Sequence, residues 1–174
     1  KKVLDNAAAI VGHRGGAAAN FSITGGEMGR TSGSIAIKNN KFKAVTPETT
    51  IWFDGKTQWA YMKNTNEVNI STPNEAQRLS MNPYAFITMY KSGYRLSMKT
   101  TTDSYIVHLQ AIHPARSMQE FYVTVSKAYY PQQIKMLQGK KWVTINISNF
   151  RAASQANSNF RFKHSDAPSA EVID

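Results

Sequence analysis

Thr49-Thr50-Ile51-Trp52-Phe53-Asp54-Gly55-Lys56-Thr57-Gln58-Trp59-Ala60-Tyr61 reads as two β-strands joined by a tight turn. The arms flank Asp54-Gly55, a pair that readily takes the positive φ of a hairpin. They carry Trp52, Phe53, Trp59 and Tyr61, with Thr and Gln between the large side chains. Successive side chains of a strand point to opposite faces of its sheet. Depending on which face they take, these rings form an ordinary core or the wall of a cavity for an apolar ligand.

Working outward, the period-two pattern dominates. Upstream, Phe21 and Ile23 alternate with polar residues up to Gly25-Gly26. Ile35 and Ile37 follow, then an Asn39-Asn40 turn and a strand with Phe42 and Val45, ended by Pro47-Glu48. Downstream, Val68 and Ile70 mark a further strand. Beyond residue 93 come Tyr94, Leu96 and Met98, then Tyr105, Val107, Leu109 and Ala111, then Phe121, Val123 and Val125. Ile134 and Met136 precede a Gln138-Gly139-Lys140 turn, and Val143, Ile145 and Ile147 give the cleanest alternation. Residues 149–157 read as a loop or short helix, and Phe160-Arg161-Phe162 as a last strand.

Helical spacing occurs in two places. Val3-Leu4, Ala7-Ala8 and Ile10-Val11 predict an amphipathic helix over residues 2–13, with Gly12-His13-Arg14-Gly15-Gly16 as its terminator. Thr72-Pro73-Asn74-Glu75 starts a second helix carrying Ala76, Leu79 and Met81. Asn82-Pro83 restarts a third with Tyr84, Phe86, Ile87, Met89 and Tyr90, ending near Ser92-Gly93. Two short helices between strands suggest a lid packed across a sheet. The expected fold is mainly β: one strongly curved antiparallel sheet, an incomplete barrel, closed by short helices, as a single domain over residues 1–174.

Composition fits an ordered chain: 174 residues, 41% hydrophobic and 18% charged. With no Cys there is no disulfide framework, thiolate metal site or Cys nucleophile. The opening Lys1-Lys2-Val3-Leu4 lacks Met, as a processed product would, so a signal peptide is expected to have been removed. The longest apolar run, Ala7 to Val11, is far short of the ~20 residues of a membrane-spanning helix. The net charge of +10 is high. It reads as a solvated surface, or as a surface for an acidic partner, a membrane or nucleic acid.

Catalytic chemistry is missing from the text. His13, His108, His113 and His164 form no HxxxH or HxH pair, and no carboxylates sit beside them at metal-ligand spacing. Eleven carboxylates are thinly spread, and neither GxSxG nor a P-loop occurs. The glycines at residues 12–16 follow a helix and lead into a strand, the reverse of a phosphate cradle. The residues point to a non-enzyme with no cofactor and no metal. Trp52, Trp59, Tyr61, Phe86, Met89, Met98 and Tyr105 could instead line an apolar pocket between sheet and helices, the alternative being plain core.

The order of these features resembles the LolA-type periplasmic carriers of outer-membrane lipoproteins. The resemblance rests on Lys38 to Phe42, on the DGKxxWxY hairpin Asp54 to Tyr61, on Asn82 to Phe86, and on Phe160 to Asp174. It implies an open barrel whose apolar cavity accepts lipoprotein acyl chains, received from an inner-membrane release complex and passed to an outer-membrane acceptor. The expected protein is a periplasmic monomer that binds no nucleic acid and for which peripheral contact with a membrane is left open. By resemblance, Trp52, Trp59 and Tyr61 stand on or beside the cavity wall and Phe86, Ile87 and Met89 on the lid, with Phe42, Met98 and Tyr105 completing the expected ligand-binding set. The family carries an Arg in an Arg-Pro-Asn-Leu-Phe context that helps hold the lid closed. Here the stretch is Lys38-Asn39-Asn40-Lys41-Phe42, so Lys38 is the latch candidate. Two alternatives remain: a protein of the LolA/LolB fold with another apolar cargo (a sensor or an acceptor), and more remotely a basic nucleic-acid module lacking any RNP, KH or helix-turn-helix pattern.

Overall fold

The computed structural model describes residues 1–12, 15–25 and 29–174. The first helix, α1, runs Lys2–Val11. His13, Arg14 and Gly26 lie outside the described residues, so the expected terminator and the second glycine of the Gly25-Gly26 break do too. Six strands follow: β1 (Ala17–Gly25), β2 (Arg30–Lys38), β3 (Lys41–Val45), β4 (Thr49–Phe53), β5 (Gln58–Met62) and β6 (Glu67–Ser71). Helix α2 (Glu75–Met81) and a 3-10 helix (Pro83–Thr88) come next. Then follow β7 (Tyr94–Thr100), β8 (Ser104–Ala111), β9 (Glu120–Ser126), β10 (Pro131–Gln138), β11 (Lys141–Ala152) and β12 (Glu171–Ile173).

All twelve strands belong to one sheet, in the order β12-β6-β5-β4-β3-β2-β1-β11-β10-β9-β8-β7. It consists of two antiparallel meanders, β1–β6 and β7–β11, sewn together where β1 pairs β11. The sheet does not close into a barrel, since β12 and β7 remain at its edges. That topology fixes where the helices go. The chain between β6 and β7 must cross from one end of the sheet to the other, and this connection is the one that carries α2 and the 3-10 helix. The strand order makes this connection traverse the sheet, and its apolar Leu79, Phe86, Met89 and Tyr90, buried in the inner core, set the face it covers.

Several expectations at the ends of elements change. Helix α2 starts at Glu75, beyond Pro73, and Asn74 caps it: its Oδ1 accepts from Gln77 N and its own N–H donates to Gln77 Oε1, both at 2.9 Å, a reciprocal capping box. The segment after Asn82 is a short 3-10 helix. Asn82 Oδ1 takes the N–H of Tyr84 at 2.9 Å and Pro83 sits in the first turn, where its missing N–H costs nothing. Residues 149–152 are not loop but the end of β11. Asn149, at φ 54°, is the extra residue of a bulge where the β1–β11 register shifts. Phe160-Arg161-Phe162 is not a strand: Asn157–Phe160 is a 3-10 turn. The last strand is β12, and it pairs β6 in parallel, the one departure from an otherwise antiparallel sheet.

The faces of the sheet differ. The inner face, covered by α1, α2 and the 3-10 helix, is one continuous core. Leu4 and Ala7 of α1, Leu79 of α2 and Phe86 of the 3-10 helix are fully buried there against Phe42, Phe53, Leu109, Phe121, Ile134 and Ile145. The outer face carries a separate, smaller cluster of Trp52, Trp59 and Val68, packed with Tyr61, Ile70, Phe162 and Ala170. The chain after β11 returns over β3 and β4 to cover it before pairing with β6.

Candidate functional site: an apolar cavity beneath a latched helical lid

The DGK hairpin sorts its rings by parity. Phe53 pairs Gln58 and Trp52 pairs Trp59, leaving Asp54-Gly55-Lys56-Thr57 as a four-residue loop. Asp54 Oδ1 accepts from the N–H of Lys56 (3.0 Å) and Thr57 (2.8 Å), while Gly55 takes φ +102°, a value costly for any side chain. Ile51, Phe53 and Ala60 then face inward, and Trp52, Trp59 and Tyr61 face outward. Trp52 stacks edge-on against Phe162 with ring centroids 5.2 Å apart. The three expected wall residues Trp52, Trp59 and Tyr61 therefore lie on the opposite side of the sheet from the cavity.

The inner face leaves an apolar cavity of about 200 Å³ between the first meander and α2. Its walls are Phe21 and Ile23 from β1, Ala44 from β3, Ile51 from β4, and Ala60 and Met62 from β5, with Thr46 and Thr49 beside them. Ser80 and Met81 at the end of α2 form its roof. Small Ala44 and Ala60 make the space, since each sits where a larger inward residue would fill it. Met62, 38% exposed, stands at the mouth.

The rest of the inner volume is plugged by the lid. Phe86 is fully buried, Met89 and Tyr90 nearly so, and Ile87 packs half-buried beside them. Phe42 lies beneath, 5.5 Å from Phe53 between ring centroids. Tyr84 packs edge-on against Phe150 at 5.9 Å, and burial raises its hydroxyl well above the usual tyrosine range. Tyr90 donates its hydroxyl to Asp5 of α1; burial first, then the Asp5 carboxylate, raises its pKa as well. Of the remaining expected residues, Met98 is 52% exposed near the end of β7, beside the start of α1. Tyr105 stacks on Tyr129 at 5.9 Å under the Lys127 ammonium, at the other meander. Neither borders the cavity.

Among the described residues Lys38 makes no hydrogen bond to the lid. Its Nζ donates to the Gln155 carbonyl at 3.3 Å, tying the returning tail to β2. The lid is held instead by Arg116, from the β8–β9 connection. Its fork meets Glu75 at the start of α2 through Nε to Oε1 (2.8 Å) and Nη2 to Oε2 (2.9 Å). Nη1 donates to the Ser92 carbonyl at 2.7 Å and Nη2 to that of Met89 at 3.2 Å. One guanidinium thus clasps both ends of the lid, and its centre lies 4.0 Å from the Tyr94 ring. The hydrogen bonds to Glu75 raise the Arg116 pKa further, so the latch stays charged. Gly93 leaves room for it: a Cβ there would stand 2.2 Å from Arg116 Nη1. Tyr94 donates to the Met118 carbonyl at 2.7 Å, and burial pushes its phenol up to about 12. A lone Arg in His113-Pro114-Ala115-Arg116 carries no sequence signal of this role. Nor do Ala60 and Ala44, whose importance is the volume they leave.

Among the described residues no group of His, Asp and Glu could hold a metal ion, and no helix is long and apolar enough to cross a membrane. The family described as outer membrane lipoprotein carrier protein LolA matches residues 1–140. The chain belongs to the LolA family. The match ends one residue before β11, so the last sheet-joining strand and the tail lie beyond it. No curated protein sequence matches the chain. Among solved structures it is similar to an uncharacterized conserved protein from Thermus thermophilus, at 14% identity and a TM-score of 0.62, over 99% of this chain and 96% of that one. It is also similar to a LolA superfamily protein from Nitrosomonas europaea, at 11% identity and a TM-score of 0.54, over 92% and 96%. At such identities these neighbours attest the fold, the LolA-like open barrel with its helices across the opening.

Proposed function

We propose that this LolA-family chain is a periplasmic carrier, a single domain that shelters the acyl chains of a lipoprotein and delivers them toward the outer membrane. The observation that carries the reading is the cavity itself. It is a pocket walled by Phe21, Ile23, Ile51, Ala60 and Met62, and it lies directly beneath α2, in the connection that runs from β6 to β7. The lining holds no His or carboxylate, and its three hydroxyls are engaged, Thr46 with the Thr49 carbonyl, Thr49 with the Met62 sulfur and Ser80 with the Gln77 carbonyl, so the chemistry on offer is burial. Each methylene removed from water is worth about 0.8 kcal/mol, which allows tight binding with no polar recognition.

The cavity is smaller than the ~300 Å³ at which drug-sized pockets begin. A whole acyl chain enters only if side chains now in its path move. Phe86 and Met89 are those side chains: they fill the inner volume when cargo is absent and compete with it when cargo leaves. On this reading Phe42, Ile87 and the roof residue Met81 border the enlarged space. Loading and unloading would be driven by an inner-membrane release complex and an outer-membrane acceptor, with the carrier as a monomer. Mass spectrometry of apolar extracts from gently purified protein, co-expressed with a lipoprotein, tests the proposal. Acyl-bearing species in stoichiometric amount are expected; their absence would overturn it.

A further inference from the structure

The charge of this chain is not evenly spread. Between Glu120 and Asp166 there is no carboxylate, while Lys127, Lys135, Lys140, Lys141, Arg151, Arg161 and Lys163 all fall there. That stretch builds most of β9, all of β10 and β11 and the start of the tail, and of its cations Lys135, Lys140 and Lys141 fall toward the β10–β11 hairpin; strands β7–β11 place one carboxylate on the outer face, Glu120, which is already engaged by His108 Nε2 at 2.6 Å. At the tip of the β10–β11 hairpin, Lys140, Lys141 and Trp142 are exposed. Gly139, at φ +62°, turns the chain there. Trp142 is part of a short outer-face ladder. Tyr122 lies 5.7 Å from it, and the Lys135 ammonium stands 5.7 Å from its ring.

The register puts an apolar residue beside this tip. Phe121 pairs Met136, so the β8–β9 connection and the β10–β11 hairpin leave the sheet at the same end of β9 and β10. That connection presents Ile112, which is 61% exposed, the most exposed large hydrophobic side chain described. Lysines beside an exposed indole and an aliphatic side chain match the interface of an anionic bilayer: ammonium groups at the headgroups, indole at the boundary, aliphatic side chain beneath. We propose that this end of the sheet, carrying Ile112, Lys140, Lys141 and Trp142, docks on an anionic phospholipid surface. The inference goes beyond the cargo reading. It concerns a surface apart from the cavity wall, and it would hold for a carrier of any apolar cargo.

Co-sedimentation of the full chain with vesicles tests it, using pure phosphatidylcholine against phosphatidylcholine mixed with phosphatidylglycerol, over a salt series. Binding is expected only to the anionic vesicles and should weaken as salt rises. A lysine at such a surface contributes about fivefold in affinity, so Lys140→Gln with Lys141→Gln should cost about 25-fold. Removing the same charge at the opposite end of the sheet, by Lys56→Gln with Lys99→Gln, should cost only a few-fold. Ile112→Ser should weaken binding at unchanged charge. Equal losses from the two lysine pairs, equal binding to neutral vesicles, or retention on single-stranded DNA with none on vesicles would each overturn the proposal. Affinity for a soluble apolar probe, measured without vesicles, should be unchanged in all these variants. The docking surface can therefore fail while the cavity reading stands.

Discussion

Arg116→Ala should open the lid without unfolding the sheet. The substitution removes a bidentate pair with Glu75, two hydrogen bonds to the carbonyls of Met89 and Ser92, and the contact with Tyr94. A hydrogen bond to a charged partner is worth about 1.5–3 kcal/mol when buried, and an exposed ion pair under about 1. The Arg116 and Glu75 side chains are 20% and 27% exposed, between those limits. A total of about 3 kcal/mol is reasonable, and most of it restrains the lid because the partners are lid groups. That raises the open fraction roughly a hundredfold. Hydrogen exchange should therefore speed up by that order across residues 75–92, while amides of β1 and β11 keep their protection. Apolar probe binding should strengthen in parallel. Arg116→Lys keeps the charge but loses the fork, and should fall between. If exchange rises equally in lid and sheet, or probe binding does not change, Arg116 is a fold stabiliser and the latch assignment is wrong.

Other outcomes follow from the same geometry. Ala60→Phe places a ring in the cavity and should cut affinity for an apolar probe at least tenfold in a titration, with a stability change of about 1–3 kcal/mol or less. Phe162→Ala strips the outer cluster: it should cost about 2 kcal/mol in urea unfolding, less than a full core truncation, and shift tryptophan emission to the red. Probe affinity should stay within about twofold, since Trp52 and Trp59 face away from the cavity. Stability should fall in alkali. Burial raises the folded-state pKa of Tyr94 from 10.0 to about 12, so the unfolded chain releases this proton first. The contribution is complete below pH 10 and is lost as pH climbs toward 12, and urea midpoints across that range will show it.

Much of this was legible in the sequence because strands state their parity. The runs at 21–23, 35–37, 94–98, 105–111, 121–125 and 143–147 all became strands, and Asn82-Pro83 did restart the chain as a helix. What parity cannot state is which face is inner. Trp52, Trp59 and Tyr61 necessarily share a side, but Phe53 and Ile51 share the other, and both sides are apolar. The decision falls to Phe162 and Ala170, over a hundred residues away, which cover the outer rings. The latch was hidden for a related reason. Lys38 lies in the sequence context of the family's Arg, whereas Arg116 reaches Glu75 only because the β6–β7 connection crosses to the far edge of the sheet. The parallel β12 strand was equally unreadable, as three exposed residues carry no periodic signal.

The central claim is that apolar cargo lies on the inner face beneath α2. It is tested most directly by loading the protein with a fatty acid bearing a photoreactive group near its methyl end and mapping the labelled residues by mass spectrometry. Labels on Ile51, Ala60, Met62 and Met81 are predicted. Labels concentrated on Trp52, Trp59 or Tyr61, or none above an unloaded control, would contradict the account.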